Sequence, residues 1–152
     1  MVRLRERGEG LVARIDFGKL REFHLLRDWS DQSAVEEELA FENLVFVVRN
    51  YLRRGYAHVI VEDLKDFRVV QMAEVFAEVK PAIVTLVLRN EAELRRRVAE
   101  RDLGWKDGDG AAAINAQIRE RGEVRGERKI EVGGKTVEEV GEEAMGVMEV
   151  RE

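Results

Sequence analysis

Acidic residues follow two of the apolar segments in the sequence, at points where strands are expected to end. Asp16 comes directly after residues 11–15, and Glu62 and Asp63 come directly after residues 57–61. Parallel sheets bind ligands just beyond the carboxyl ends of their strands, where a carboxylate can take a proton or hold a divalent cation. The alternative is structural, because acidic residues in front of a helix are also stabilised by its positive N-terminus.

Arginines suited to binding an anion lie in two places. Arg21 follows the first of these segments, and Arg97 and Arg101 are four positions apart, which puts them on one face of a helix. A guanidinium group matches carboxylate and phosphate oxygens with paired hydrogen bonds. The alternative for Arg97 and Arg101 is an exposed helix surface on which they pair with Glu93 or Glu100.

The order of the segments predicts an α/β fold with a parallel sheet. Short apolar runs alternate with helical patterns, as they do in βαβ units. The four predicted strands cover residues 11–15, 57–61, 82–88 and 129–132. The helices between and after them are predicted to begin at Ser33, Asp66, Asn90 and Thr136, and Gly55 is predicted to end the first. Because no linker or repeat interrupts the pattern, we predict a single domain over residues 1–152.

The composition argues against several classes of protein. Of the 152 residues, 45% are hydrophobic and 38% are charged, which is typical of a folded domain. The net charge of -5 argues against nucleic-acid binding, which needs a basic surface. No apolar run approaches the roughly 18 residues that span a membrane, the N-terminus lacks the pattern of a secretory signal, and cysteine is absent. We therefore expect a cytoplasmic protein that binds neither membranes nor nucleic acids.

Four stretches match, in order, the elements of a known enzyme family. Residues 13–21 (ARIDFGKLR) are similar to a second strand that ends in a substrate-site Asp, and residues 55–63 (GYAHVIVED) to a buried strand ending in acids. Residues 84–101 are similar to a strand and an arginine-bearing lid helix, and residues 129–140 to a last strand and helix. Together they resemble small P-loop kinases, the shikimate- and gluconate-kinase-like group and its AAA-type relatives. The resemblance implies a three-layer P-loop NTPase-like fold, with a parallel sheet of about four strands and helices on both faces.

The resemblance also implies an ATP-dependent phosphotransferase that uses Mg²⁺ and acts on a small-molecule acceptor. Asp16 would accept the proton of the acceptor hydroxyl group, and Arg21 would hold an anionic substrate. Glu62 and Asp63 would orient the acceptor or hold Mg²⁺ through water.

The implied lid covers about residues 95–121. Arg97 and Arg101 would close over the triphosphate and stabilise the charge of the phosphoryl group during transfer. Arg121 lies where the family has an arginine that packs on adenine. The glycine-rich residues 104–110 are typical of a mobile lid.

One defining motif of the family does not occur in the sequence. The phosphate-binding loop, G-x-x-x-x-G-K-[ST], is absent, and the Gly133–Thr136 stretch (GGKT) lacks its first glycine because Lys129 stands there. We interpret that stretch as a tight turn followed by a capping box at Thr136. In the resembling fold the strand before the loop is also the central strand. We therefore expect an N-terminally incomplete kinase domain with little or no activity of its own.

Two other functions are consistent with the sequence. One is a non-catalytic interaction protein that has kept the α/β scaffold and buries the gap in its sheet as a homodimer. The other is a receiver-like or other doubly wound domain, which fits the sheet but not the arginine-rich helix. The sequence does not name the phosphate acceptor, for which a nucleoside, a sugar acid, a shikimate-like compound and a protein group are all open.

Overall fold

Four strands and six α-helices occur in the part of the chain that the computed structural model describes, which is residues 10–22, 31–102 and 105–149. The chain divides into two units, Met1–Lys65 and Asp66–Glu152. Each unit contains one pair of parallel strands. The α/β class predicted from the sequence is therefore confirmed, while a single four-stranded sheet remains a prediction.

The first unit contains two strands and two helices. In chain order these are β1 (Val12–Asp16), α1 (Phe17–Arg21), α2 (Asp31–Arg53) and β2 (His58–Glu62). β1 and β2 are parallel and in a register that sets Asp16 beside Glu62. The apolar side chains of β1 are buried with Phe17, and the Phe17 ring meets the Phe41 ring of α2 edge to face, with 6.4 Å between centroids.

The end of α2 follows the sequence prediction, whereas its beginning does not. Gly55 has a φ of 79°, and the amides of Gly55 and Tyr56 bond the carbonyls of Leu52 and Tyr51. This is a Schellman motif, which glycine favours because it has no Cβ to oppose a left-handed backbone. The predicted capping box at Ser33 is wrong, because α2 already begins at Asp31.

The second unit contains the other two strands and four helices. In chain order these are α3 (Asp66–Val75), a short 3₁₀ turn (Ala77–Val79), β3 (Ile83–Val87), α4 (Glu91–Ala99), α5 (Gly108–Glu120), β4 (Glu127–Glu131) and α6 (Val137–Glu149). β3 and β4 are parallel, and Ile130 of β4 is fully buried. All four strands lie within two residues of their predicted bounds.

The predicted helix caps of the second unit are confirmed at two of three positions. The Asn90 side chain accepts a hydrogen bond from the Glu93 amide at 3.0 Å. Thr136 and Glu139 bond each other's amides reciprocally, so the GGKT stretch is the turn and capping box that we expected. The Asp66 prediction is wrong, because Asp66 is the first residue of α3 and its carboxylate binds Arg121 instead of an amide of its own helix.

Asn115 of α5 closes one end of β3 in an unusual way. Its side-chain amide accepts a hydrogen bond from the Leu88 amide at 3.0 Å and donates one to the Leu88 carbonyl at 2.7 Å. The Val87 carbonyl accepts a hydrogen bond from the Val132 amide on the β4 side. The backbone N–H and C=O of the next residue, Leu88, therefore point away from β4. Asn115 therefore takes the place of a neighbouring strand at this residue.

Within the described ranges, none of the helices has both the length and the hydropathy needed to cross a bilayer.

Candidate functional site

Asp16 lies at the junction of β1 and α1 and has a role in both elements. It is the last residue of the strand and the N-cap of the helix, where its carboxylate accepts a hydrogen bond from the Lys19 amide at 3.3 Å. The cap orients one carboxylate oxygen along α1. Asp16 therefore caps a helix, as the structural alternative from the sequence had it. The cap also holds its carboxylate at the carboxyl end of β1.

Asp63 follows β2 with a left-handed backbone. Its φ is 61°, a conformation that Asp tolerates better than most residues with a Cβ. Its side chain reaches back toward α1, where a Cβ on Gly18 would lie 3.0 Å from an Asp16 oxygen and closer still to an Asp63 oxygen. The two carboxylates are therefore neighbours across Gly18, and a Cβ at this position would require the Asp63 carboxylate to move.

Arg21 is held at the same place by three groups. Its guanidinium donates to an Asp63 oxygen at 2.9 Å and lies 3.8 Å from an oxygen of Glu37. Its guanidinium carbon lies 5.4 Å from the centre of the Phe17 ring. Its Nε is buried and has no acceptor, which is uncommon for a buried donor. Arg21 thus lies beside the Asp63 carboxylate, and its predicted role in binding an anionic substrate stays a prediction.

Glu62 takes a different direction from Asp63. Its carboxylate pairs with Arg14 of β1, on the surface of the strand pair. This contact raises the pKa of Arg14, first through the hydrogen bond and then through the charge of Glu62. The structure therefore brings Asp16, Asp63 and Arg21 together, while Glu62 is engaged elsewhere.

A divalent cation at this site would have at most two carboxylates from the described residues. In the described ranges, no three His, Cys, Asp or Glu side chains come together as a metal site. Mg²⁺ commonly binds proteins through one or two carboxylates and completes its shell with water and substrate oxygens. Asp16 and Asp63 fit that pattern, whereas the predicted pair of Glu62 and Asp63 does not, because Glu62 faces Arg14.

The three predicted nucleotide and lid arginines lie in the second unit and are in different environments. Arg97 pairs with Glu93 one turn earlier in α4, and Arg101 lies exposed just past the end of that helix. Arg97 therefore has the partner that the structural alternative named. The predicted role of both residues in a lid stays a prediction.

Arg121 is enclosed by carboxylates of its own unit. It donates to both oxygens of Asp66 at 2.6 to 2.9 Å, to both oxygens of Glu127 at 2.6 and 2.8 Å, and to the Gly122 carbonyl at 2.9 Å. The hydrogen bonds that Arg121 donates to Glu127, and then those to Asp66, raise its pKa despite partial burial. Every donor nitrogen of the guanidinium thus has an acceptor. This is more typical of a structural arginine than of one that is available to pack on adenine.

Two residues near the candidate site were not singled out from the sequence. Lys65 bonds an oxygen of Glu37 at 2.9 Å, and Glu37 in turn faces Arg21. Glu37 comes from the N-terminal third of α2, and the packing of α1 on α2 brings it to the site. The spacing of charges in the sequence carries no signal for such a contact.

Comparison of the chain with protein-family models and with curated proteins finds no match.

Proposed function

We propose that the chain is a P-loop NTPase-like kinase domain whose first unit provides the binding site for the acceptor of the phosphoryl group. In this proposal Asp16 accepts the proton of the acceptor hydroxyl group. Asp63 orients the acceptor or holds Mg²⁺ through water, and Arg21 binds an anionic group of the substrate. ATP and Mg²⁺ are the cosubstrate and the metal, and the reaction takes place in the cytoplasm.

The observation that carries the proposal is the meeting of Asp16 and Asp63 across Gly18, beside Arg21. Phosphoryl transfer needs little covalent chemistry from the protein and depends on positioning and on electrostatic stabilisation. Two carboxylates and one guanidinium at the carboxyl ends of adjacent parallel strands supply both for a hydroxylated, anionic acceptor.

The pairing of the strands gives independent support. In the resembling kinases the strand that leads into the phosphate-binding loop is central, so its removal would leave one strand pair on either side. The pairs β1–β2 and β3–β4 are the two pairs that such a removal would leave, and each is parallel. The 152 residues contain no G-x-x-x-x-G-K-[ST], so in this proposal they lack the main grip on the β- and γ-phosphates.

The test is calorimetric titration with Mg²⁺–ATP of the 152-residue chain and of a version extended upstream in the gene. We expect binding and ATP-dependent phosphotransfer only from the extended version. Asp16→Asn in that version should lower the rate by about 10²- to 10⁴-fold, the usual contribution of a general base. The matched control is Glu22→Gln, which removes an exposed carboxylate close to the same helix.

Two outcomes would contradict the proposal. Phosphotransfer by the 152-residue chain alone would show that the phosphate-binding loop is dispensable. Absence of ATP binding by both versions would favour the alternative of a non-catalytic interaction protein on the same scaffold. An acceptor panel of nucleosides, sugar acids and shikimate-like compounds then identifies the substrate class of an active version.

A further inference from the structure

α2 has an apolar surface on two opposite sides. The inner side packs in the first unit through the buried residues Ala40, Phe41, Leu44 and Val48. On the outer side, Val35, Leu39 and Phe46 are 62%, 47% and 67% exposed. These three are four and eleven positions apart, so they fall within about 40° of one another around the helix. We call these three residues the outer stripe.

Single exposed apolar residues are common on protein surfaces and need no explanation. Three of them aligned on one side of a helix do need one. A surface helix normally carries one apolar stripe, with polar residues on the opposite side. Contiguous apolar surface that stays exposed marks an interaction site in many proteins. In α2 the outer stripe lies opposite the buried side, so packing within the first unit leaves it open.

The charges along α2 indicate what covers the outer stripe. Acidic residues that flank it lie in the N-terminal half of the helix and basic residues in the C-terminal half. They are Glu36, Glu38 and Glu42, followed by Arg49 and Arg53. A second copy of this helix running in the opposite direction would set each acidic half against a basic half.

We propose that the outer stripe is a self-association surface, on which α2 packs antiparallel against α2 of a second copy about a two-fold axis between residues 42 and 43. This register sets Leu39 of each chain against Phe46 of the other. It also brings Glu38 of each chain within a turn of Arg49 of the other, on the same flank of the helix pair. Every contact occurs twice, as a two-fold interface requires.

The interface is limited to one helix from each copy. A helix of 23 residues is about 35 Å long, and a single pair of such helices buries less than a standard stable interface. We therefore expect a dimer that forms at micromolar concentrations and dissociates on dilution. Glu42 lies next to the axis near Glu42 of the second copy, and this like-charge contact weakens the dimer.

Sedimentation velocity over a concentration series tests the proposal on the full chain. Phe46→Ser should raise the dissociation constant at least about tenfold, because it removes the largest exposed side chain of the stripe. Val137→Ser is the control, since Val137 is an exposed apolar residue of the second unit and should leave the constant unchanged. Glu42→Gln should lower the constant, which a purely structural role of this residue does not predict.

Charge reversal tests the direction of the helices. Glu38→Arg alone and Arg49→Glu alone should each weaken the dimer, and the double variant should restore it, because the pairs re-form with their signs exchanged. Failure of the double variant to recover would overturn the antiparallel register. The circular dichroism of each variant shows whether α2 has kept its helix.

Disulfide trapping gives a second measurement, because the sequence has no cysteine. Glu42→Cys should form a cross-linked dimer under mild oxidation. Arg53→Cys should not, since this residue and its copy would be separated by about 30 Å along the helix pair. A chain that sediments as a monomer at every concentration, with no cross-link at residue 42, would show that the outer stripe does not mediate self-association, and the proposal would be wrong.

Discussion

The carboxylate of Glu127 is fully buried and yet ionised, which leads to a quantitative prediction. Burial alone would raise its pKa. Hydrogen bonds from Arg121, from Thr85 and from the Val124 amide outweigh burial and lower the pKa from 4.5 to about 2. A carboxyl group whose pKa falls on folding stabilises the folded state above its unfolded pKa, and that stabilisation is lost as the pH falls through the folded pKa.

The size of the effect follows from the two pKa values. Their difference corresponds to about 3 kcal/mol of folding free energy at neutral pH. Glu127→Gln resembles the protonated form of the side chain, so it should lower the free energy of unfolding by about 3 kcal/mol at pH 7. At pH 3 the native protein has already lost most of this stabilisation, and the two proteins should differ by about 1 kcal/mol.

The assay is urea denaturation at a series of pH values between 7 and 3, followed by circular dichroism and by the fluorescence of Trp105 in a Trp29→Phe background. Trp105 belongs to the second unit, as Glu127 does. Glu74→Gln is the control, because Glu74 is an exposed carboxylate of α3 in the same unit. The reasoning would be refuted if the free energies of unfolding of Glu127→Gln and of the native protein differed by the same amount at every pH. Equal free energies of unfolding at pH 7 would refute it as well.

Three further predictions concern single residues. Gly18→Ala should displace the neighbouring carboxylates and reduce phosphotransfer by the extended chain at least about tenfold, with the kinetic assay as the measurement; an unchanged rate would separate the site from catalysis. Asn115→Ala should cost about 1–3 kcal/mol of stability and make the Leu88 amide exchange rapidly with solvent in hydrogen-exchange NMR, and a slow Leu88 amide would contradict this. Gly55→Ala should cost about 1 kcal/mol in urea denaturation, because only its left-handed φ, and no neighbouring atom, opposes a Cβ.

The strands and most helix ends could be predicted because their signals are local. An apolar run bounded by turn residues defines β2, and Gly55 after a long helical pattern defines the end of α2. The beginnings of α2 and α3 were predicted less well. Ser33 and Asp66 both have the side chains of good caps, but tertiary contacts decide whether a cap is used, and Asp66 gains more from the bidentate Arg121 than from an amide.

The candidate site was predicted in part, and the reason lies in the register of the strands. Asp16 and Asp63 follow strands whose carboxyl ends meet at one edge of a parallel pair, so their proximity follows from the α/β class. Successive side chains of β2 point to opposite faces of the strand pair, and Glu62 lies on the exposed face beside Arg14 of β1. The contact of Arg21 with Glu37 depends on how α1 packs on α2, which no spacing in the sequence specifies.

The arginines show why residue type alone does not separate structure from function. Arg121 has all its donor nitrogens bound to groups of the second unit, and Arg97 has its own Glu93, so neither needs a ligand to balance its charge. Around Arg21 the carboxylates are in excess of the cations. They are Asp16, Asp63 and Glu37, against Arg21 and Lys65. An excess of negative charge beside Gly18 favours a cation or a hydroxyl donor next to the Asp16 and Asp63 carboxylates. The first unit is therefore where ligand chemistry is to be sought, whereas Arg97 and Arg121 of the second unit are balanced by carboxylates of their own unit.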